Sequence, residues 1–442
     1  VVFISIDDLN DWVEPFGGYE GVQTPHISAL ARQAVVFKRA YTSAPFCNSA
    51  RVSTLTGCLP TTTGVYWNQE GTTPPALTSL PEYFKSRGYA TLGAGKVFHP
   101  WEVGKGMPLR FRGWNPEAWT EYADSLERRF PPSMRSLSKS PVARMDIGAL
   151  SESESTPDLQ IAKWAEERLS KPVPAPFFLA VGFNRPHLPW FVPKKYFEMY
   201  PLDSVRLPSC PPDDLEDIPA IARAHTVGIP KGQGRAYHDQ VVAKGFWKNA
   251  VQGYLASVSY ADEMVGRVLG ALESGPHRRN TVVVLWSDHG YHLGEKLRWS
   301  KYTLWERSTR IPLIIRLPGG GAPRICEEVV SLVDLFPTLT ELCFGTAPEK
   351  TDGSSLLRLS TSGDPTWRDN ALTFWRKGNS AIRTRRWRLI RYADGAEELY
   401  DHDNDPQELR NLIVLEPEAN AAIAKELRDR LQTASTKQGP AG

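Results

Sequence analysis

The chain has 442 residues, 41% hydrophobic and 23% charged, the composition of an ordinary globular protein too long for one small domain. A formal charge of +2 leaves no global footprint for nucleic acid, and no apolar run is long enough to cross a membrane. Five cysteines without a CxxC pair exclude a disulfide scaffold and a zinc-type spacing.

In chain order, "VVFISI" reads as a buried strand that runs into Asp7 and Asp8. Thr24-Pro25 is a helix start, with Thr as cap and Pro at the first helical position. "APFCNSARVSTLTG" puts Cys47 in a short polar loop, Arg51 four residues on, and then a helix ending at Gly57. A second helix runs from the Ser79 region to a stop at Gly88, and "YATLGAGK" is the strand after it. "TPDLQIAKWAEERLS" is a helix feeding the strand "FFLAVGF". The longest helix covers roughly Trp247 to Glu273. "TVVVLWS" is a fully apolar strand ending at Asp288-His289; "IPLIIRL" and a helix around "LVDLFPTLTELC" follow.

Continuous runs of Val, Ile, Leu and Phe separated by helices predict an α/β fold: a large, mostly parallel central sheet with helices on both faces. After about Asp364 the pattern changes to short Arg- and Trp-rich alternating strands, with a hairpin signal at Asp394-Gly395 and a closing helix, "PEANAAIAKELRDRLQ". This predicts a large domain over 1–350 and a smaller C-terminal antiparallel sheet plus helix over 351–442, with the boundary between Phe344 and Trp367.

In open α/β sheets, ligands bind beyond the carboxyl ends of the strands. The polar residues there are Asp7 and Asp8; Lys96 and His99; Asn184, Arg185 and His187; Asp288 and His289. Cys47 and Arg51 join them on a loop before a helix start, where anions are favoured. Singly, adjacent aspartates are commoner as turn formers and caps than as metal ligands. Together, three carboxylates and several cations at one sheet edge need charge compensation. A divalent metal facing a bound anion would supply it. Carboxylate oxygens suit Ca²⁺ or Mg²⁺.

These residues resemble a family. "VFISIDDLNDW", "CNSARVSTLTG", "GKVFHP", "FNRPHLPW", "LWSDHGYHLGE", "WSKYTLWE" and "ELYDHDNDPQELRNL" are similar to the type I sulfatases of the alkaline phosphatase superfamily, in pattern nearest the iduronate-2-sulfatase branch. The resemblance spans nearly the whole chain and implies an alkaline phosphatase-like fold. It implies that Cys47 is the precursor of formylglycine, made by a maturation enzyme that is then a partner of this chain. The aldehyde hydrates to a gem-diol; one hydroxyl attacks sulfur, and the second lets the covalent sulfate ester collapse and expel sulfate. Ser49 stands where the family usually has Pro or Ala, and Ala50 where Ser is common; both are small.

The resemblance further implies that Asp7, Asp8, Asp288 and His289, with the modified Cys47, bind Ca²⁺, with Mg²⁺ as the alternative. Arg51 would hold the diol, and Lys96 and His99 would hydrogen-bond it. His187 and Lys301 would contact sulfate on the leaving-group side, one protonating the sugar oxygen. Asp288 would accept the proton of the attacking hydroxyl. The implied substrate is a sulfated sugar, a 2-O-sulfated uronic acid of a polysaccharide, and the implied location periplasmic or secreted. Arg383 in the basic hairpin is a candidate for the sugar carboxylate. Tyr291, Trp190, Trp299 and Trp305 are candidate stacking residues against the commoner fate of core packing. His225, His238, His277 and His402 are left as surface or structural residues. Three other functions are weighed: a phosphonate monoester, phosphodiester or aryl sulfate hydrolase on the same scaffold; a non-catalytic carbohydrate-binding homologue; and a redox or metal-storage role for Cys47, which no second thiol or soft-ligand cluster nearby supports.

Overall fold

Alternation along the first strand sets the architecture. Val2, Ile4 and Ile6 enter one hydrophobic core, while Val1 and Phe3 enter another on the opposite face. The same split runs through Phe177–Phe183 and Val283–Ser287, where Leu179, Val181, Val283 and Leu285 face the first core and Phe178, Ala180, Val284 and Trp286 the second. A strand apolar on both faces must be covered twice. The 28-residue helix Trp247–Ser274 and the helix Pro157–Leu169 contribute to the first core. Cys47–Thr56, Leu80–Ser86 and Leu335–Phe344 contribute to the second. These observations come from a computed structural model, which describes residues 1–68, 77–99, 119–120, 140–142, 144–174, 176–228, 235–348 and 350–435.

Nine strands form the main sheet among the described residues. Val2–Ile6 lies at its centre, parallel to both Val283–Ser287 and Phe177–Phe183. Ile6 is level with Ser287 on one side and Phe183 on the other, and Gly182 is level with Gly95 of the next parallel strand, Ala90–Gly95. Four strand ends therefore deliver Asp7, Asp288, Asn184 and Lys96 to one edge. Leu313–Arg316 departs from the parallel pattern: it inserts antiparallel between Val283–Ser287 and Val35–Tyr41.

The C-terminal sheet is antiparallel, ordered Asn370–Phe374, Ser380–Thr384, Trp387–Arg391, Glu397–Asp401, and the helix Pro417–Ser435 packs on it. Its first strand docks on the main domain. The Phe374 N–H donates to Ser43 O at 2.8 Å, and the Thr373 hydroxyl to Thr42 O at 2.6 Å. This seam lies four residues before Cys47.

Two local expectations are corrected. Thr24 does not cap the helix Pro25–Ala31; its hydroxyl accepts from the Glu14 N–H instead. The Asp262 carboxylate, reaching from the long helix, accepts from His26 and Ile27 at 3.1 and 2.7 Å and satisfies that helix start. Cys47 and Arg51 do not sit on a loop: Cys47 is the first residue of the helix Cys47–Thr56, closed by Gly57 in the left-handed conformation.

Candidate active site

Asp8, immediately past the central strand, takes a left-handed backbone (φ 64°) that turns the chain sharply at the sheet edge. Three bonds hold the turn: Asp8 N–H to Asp288 Oδ1 at 3.2 Å, Leu9 N–H to Ser287 Oγ at 3.0 Å, and Tyr254 O–H to Asp8 O at 2.8 Å. Across the cleft, the first helical turn presents Cys47, with its Sγ 3.2 Å from His289 Nε2 and 3.5 Å from Lys301 Nζ. His289 Nδ1 donates to the Gly290 carbonyl at 3.1 Å, which can only accept, so Nε2 is the nitrogen aimed at the cluster.

Ligand atoms of Asp7, Cys47, Asp288 and His289 all lie within 4.8 Å of one another, and those of Asp8, Cys47 and His187 form an overlapping group. Around them stand three cations. Arg51 forks, donating from Nε to Asp288 at 3.0 Å and from its terminal nitrogens to Asp7 at 3.2 Å and the Val97 carbonyl at 3.2 Å. Lys96 pairs with Asp7 and Lys301 with Asp8. His99 reaches the Cys47 thiol with one ring nitrogen. All of these except half-buried His187 are buried. His187 Nδ1 donates to Leu188 O at 2.5 Å, leaving Nε2 3.9 Å from Asp8.

The electrostatics follow from this crowding. Burial opposes ionisation of Asp7, but Lys96, with Arg51 and Lys301, holds it well below the usual carboxylate range. Burial, together with repulsion from Asp7 and against Lys301, pushes Asp8 up to about 7. Burial likewise lifts Asp288 to about 6 against the pull of Arg51. Burial resists a charged His289, yet Asp288 and Cys47 raise it to about 9. Burial also resists a Cys47 thiolate, but Lys301 and Lys96 bring the thiol well below its ordinary value. Three carboxylates, two of them driven toward protonation, are a donor set that a hard divalent cation fits.

Comparison with known proteins places this geometry. A profile described as Sulfatase matches residues 1–346, and one described as N-sulphoglucosamine sulphohydrolase, C-terminal, matches residues 294–437. The chain belongs to the sulfatase family. It is 37% identical to a sulfatase of Formosa agariphila over 93% of this chain and 82% of that protein. It is 31% identical to mouse (Mus musculus) iduronate 2-sulfatase over 77% and 68%. Among solved structures, a phosphonate monoester hydrolase of Agrobacterium radiobacter superposes with a TM-score of 0.81 at 23% identity, over 99% and 95% of the two chains. A 2-O GAG sulfatase gives 0.75 at 21%, over 98% and 92%. At those identities the two structures establish the fold alone. Membership of the sulfatase family makes the chain a sulfuric ester hydrolase.

Several expected contacts with sugar are corrected. Tyr291 is 2% exposed and stacks on Tyr254 at 5.5 Å, with Trp190 edge-on at 6.1 Å; it is core. Trp190, Trp299 and Trp305 are also buried. Arg383 is buried and paired with Glu306 at 3.1 Å, and Arg388, directly opposite on the next strand, pairs with the same carboxylate. Arg386 pairs with Asp401 and Arg391 with Glu397. His238 packs against Trp247, His277 accepts from the Val173 N–H, and His402 bonds Glu408; the His225 side chain lies outside the described residues.

Sequence reasoning missed the rim. Trp67, Tyr302 and Arg376 are half-buried around Phe46, the neighbour of Cys47. Tyr302 carried a signal in its adjacency to Lys301; Trp67 and Arg376 carried none.

Proposed function

We propose that this sulfatase removes sulfate from a sulfated sugar, and that the sugar is a 2-O-sulfated uronic acid. One observation carries the sulfate-ester reading: the donor atoms of Asp7, Cys47, Asp288 and His289 converge within 4.8 Å while Arg51, Lys96 and Lys301 stand around them; the uronate rests on the 31% identity to iduronate 2-sulfatase. Such a site holds a hard cation against an oxyanion. Asp7, Asp8, Asp288 and His289 are the residues that would hold Ca²⁺, which would supply Lewis acidity at a sulfate oxygen. Cys47, matured to formylglycine by a dedicated enzyme, would supply a geminal pair of hydroxyls, one to attack sulfur and one to release it. We infer periplasmic or secreted action on polysaccharide, as the resemblance implies. We assign residues 1–350 as the catalytic domain and 351–442 as a smaller C-terminal α+β subdomain.

The chain's own groups divide the remaining work. Arg51 and Lys96 fix the carboxylates and offset charge beside position 47. Asp288, within ligand distance of position 47, takes the proton of the attacking hydroxyl. Lys301, paired with Asp8 and 3.5 Å from Cys47 Sγ, serves as fixed charge beside position 47. His187 is the leaving-group acid. Burial and the charges of Lys301 and Lys96 keep it neutral before substrate arrives; an incoming sulfate offsets those cations and raises its proton affinity.

The test is turnover by protein matured in its native host. Defined oligosaccharides with a 2-O-sulfated uronate are compared with other sulfated sugars, aryl sulfates and phosphonate monoesters. Desulfation led by the uronate substrate is the expected result. Faster phosphonate hydrolysis would overturn the substrate class, and sugar binding with no hydrolysis would make the chain a carbohydrate-binding homologue.

A further inference from the structure

The C-terminal sheet delivers a cation to the rim of the site. The seam between Phe374 and Ser43 places Trp375 and Arg376 beside the segment that ends in Phe46 and Cys47. Ring contacts close the gap. Phe46 lies 4.3 Å from Trp67 and 4.9 Å from Tyr302, and stacks over Trp375 at 6.5 Å, centroid to centroid. The Arg376 guanidinium sits 4.3 Å from the centre of the Trp67 ring and 5.6 Å from that of Trp375. Tyr302 follows Lys301, whose ammonium is 3.5 Å from Cys47 Sγ. Cys47, Lys301 and Trp375 are buried, whereas His187, Trp67, Tyr302 and Arg376 are half-buried. These four residues are therefore the part-exposed side chains next to the buried cluster around Cys47.

Arg376 differs from the other arginines of this sheet. Arg383, Arg386, Arg388 and Arg391 all have carboxylate partners; Arg376 and exposed Arg385 have none among the described residues, and of these two only Arg376 is half-buried and rests on two indole rings. A guanidinium laid against a ring keeps its N–H donors in its own plane, directed past the ring edge, where they can form a forked pair with an oxyanion. Its backbone is also left-handed (φ 53°), as is that of Tyr302 (φ 74°). Bulky residues seldom adopt this conformation, and it recurs at binding sites that need a side chain aimed.

We propose that Arg376, presented on Trp67, reads a second anionic substituent of the sulfated sugar, the uronic carboxylate, while Trp67 and Tyr302 wall the sugar ring. This rests on the sulfated-sugar reading above and names the residue that selects within it.

The experiment compares wild type, Arg376→Ala and Arg376→Lys on three disaccharides: one with a 2-O-sulfated uronate, its carboxyl-reduced counterpart, and that reduced sugar with a second sulfate. In Arg376→Ala the ratio of kcat/KM for the uronate over the reduced sugar falls about ten- to hundred-fold, mainly through KM. Arg376→Lys restores part of it, since a point charge replaces a fork. An unchanged ratio overturns the proposal; a loss confined to the disulfated sugar overturns the carboxylate assignment. Calorimetric titration of the same sugars into Cys47→Ala chains, with and without Arg376→Ala, reads the subsite independently of maturation. Binding that follows Arg376 with no turnover of any sulfate ester by the wild type would overturn the proposed function and leave the subsite standing.

Discussion

Replacing Arg51 by Ala is the sharpest test of the charge arrangement. The guanidinium is fully buried and holds two carboxylates at once, Asp288 at 3.0 Å and Asp7 at 3.2 Å, together with the Val97 carbonyl. Removing one member of a buried ion pair costs about 3–5 kcal/mol, because the partner is left charged and unsolvated. Here two partners are left, though Lys96 still pairs with Asp7. We therefore expect Arg51→Ala to lose about 3–5 kcal/mol of unfolding free energy in EDTA, with Arg51→Lys intermediate because ammonium cannot fork. Calcium neutralises the same carboxylates, so its addition should shrink the cost even though the variant is inactive. The assay is urea unfolding followed by tryptophan fluorescence, with chelator and with saturating calcium. A cost under about 1 kcal/mol, or one identical in both conditions, would refute the reasoning.

The remaining tests separate site from scaffold. Arg383→Ala should leave KM within about two-fold and lower stability by about 1–3 kcal/mol, because it removes a partner of Glu306 rather than a sugar contact; a KM rise without loss of stability would reverse that view. Asp214→Asn breaks the buried pair with Lys296 at 2.8 Å, on the segment that presents Lys301. It should lower kcat about ten-fold with KM little changed, and an equal effect on both would contradict it. Burial lifts the Asp262 carboxyl to about 7, against the N–H groups of Ile27 and His26 and with help from Glu14. A folded pKa above the unfolded value means that its stabilising contribution is full in acid and is lost as pH rises from about 4 through 7. The stability deficit of Asp262→Asn should therefore narrow by about 1 kcal/mol or more between pH 5 and 7.5, and a constant gap in melting profiles would be the contrary result.

How far the chain could be read in advance depended on whether a feature was local. Strand-helix alternation is local, and so were the runs ending at Asp7 and Asp288. Because the central strands are parallel and in register, residues just past them had to meet at one edge. The reversed direction of Leu313–Arg316 was illegible, since a strand buried on both faces shows the same apolar run either way. Cys47 read as loop because "CNSA" lacks a side-chain cap, and Phe46 makes none. Arg383 looked free because Glu306, 77 residues away, approaches only through the tertiary fold. The tryptophans misled for the same reason: a ring on a wall and a ring in a core have the same sequence.

Backbone strain connects the scaffold to the chemistry. Among the described residues, eight non-glycine residues have positive φ, including Asp8, Lys296, Leu297, Ser300, Tyr302 and Arg376. The first lies under the carboxylate cluster, the next four sit on the segment that presents Lys301, and the last carries the rim guanidinium. Each such residue costs on the order of 1 kcal/mol or more, which persists only where surrounding contacts dictate the conformation. Around Lys301 those contacts are the buried Lys296–Asp214 pair and the Leu297 N–H bond to Cys210 Sγ. An ammonium on a four-carbon stem would otherwise sample many positions. Fixing the backbone on both sides confines it to the side of the cleft shared by Asp8 and Cys47, so the charge that meets the sulfuryl group is in place before substrate arrives.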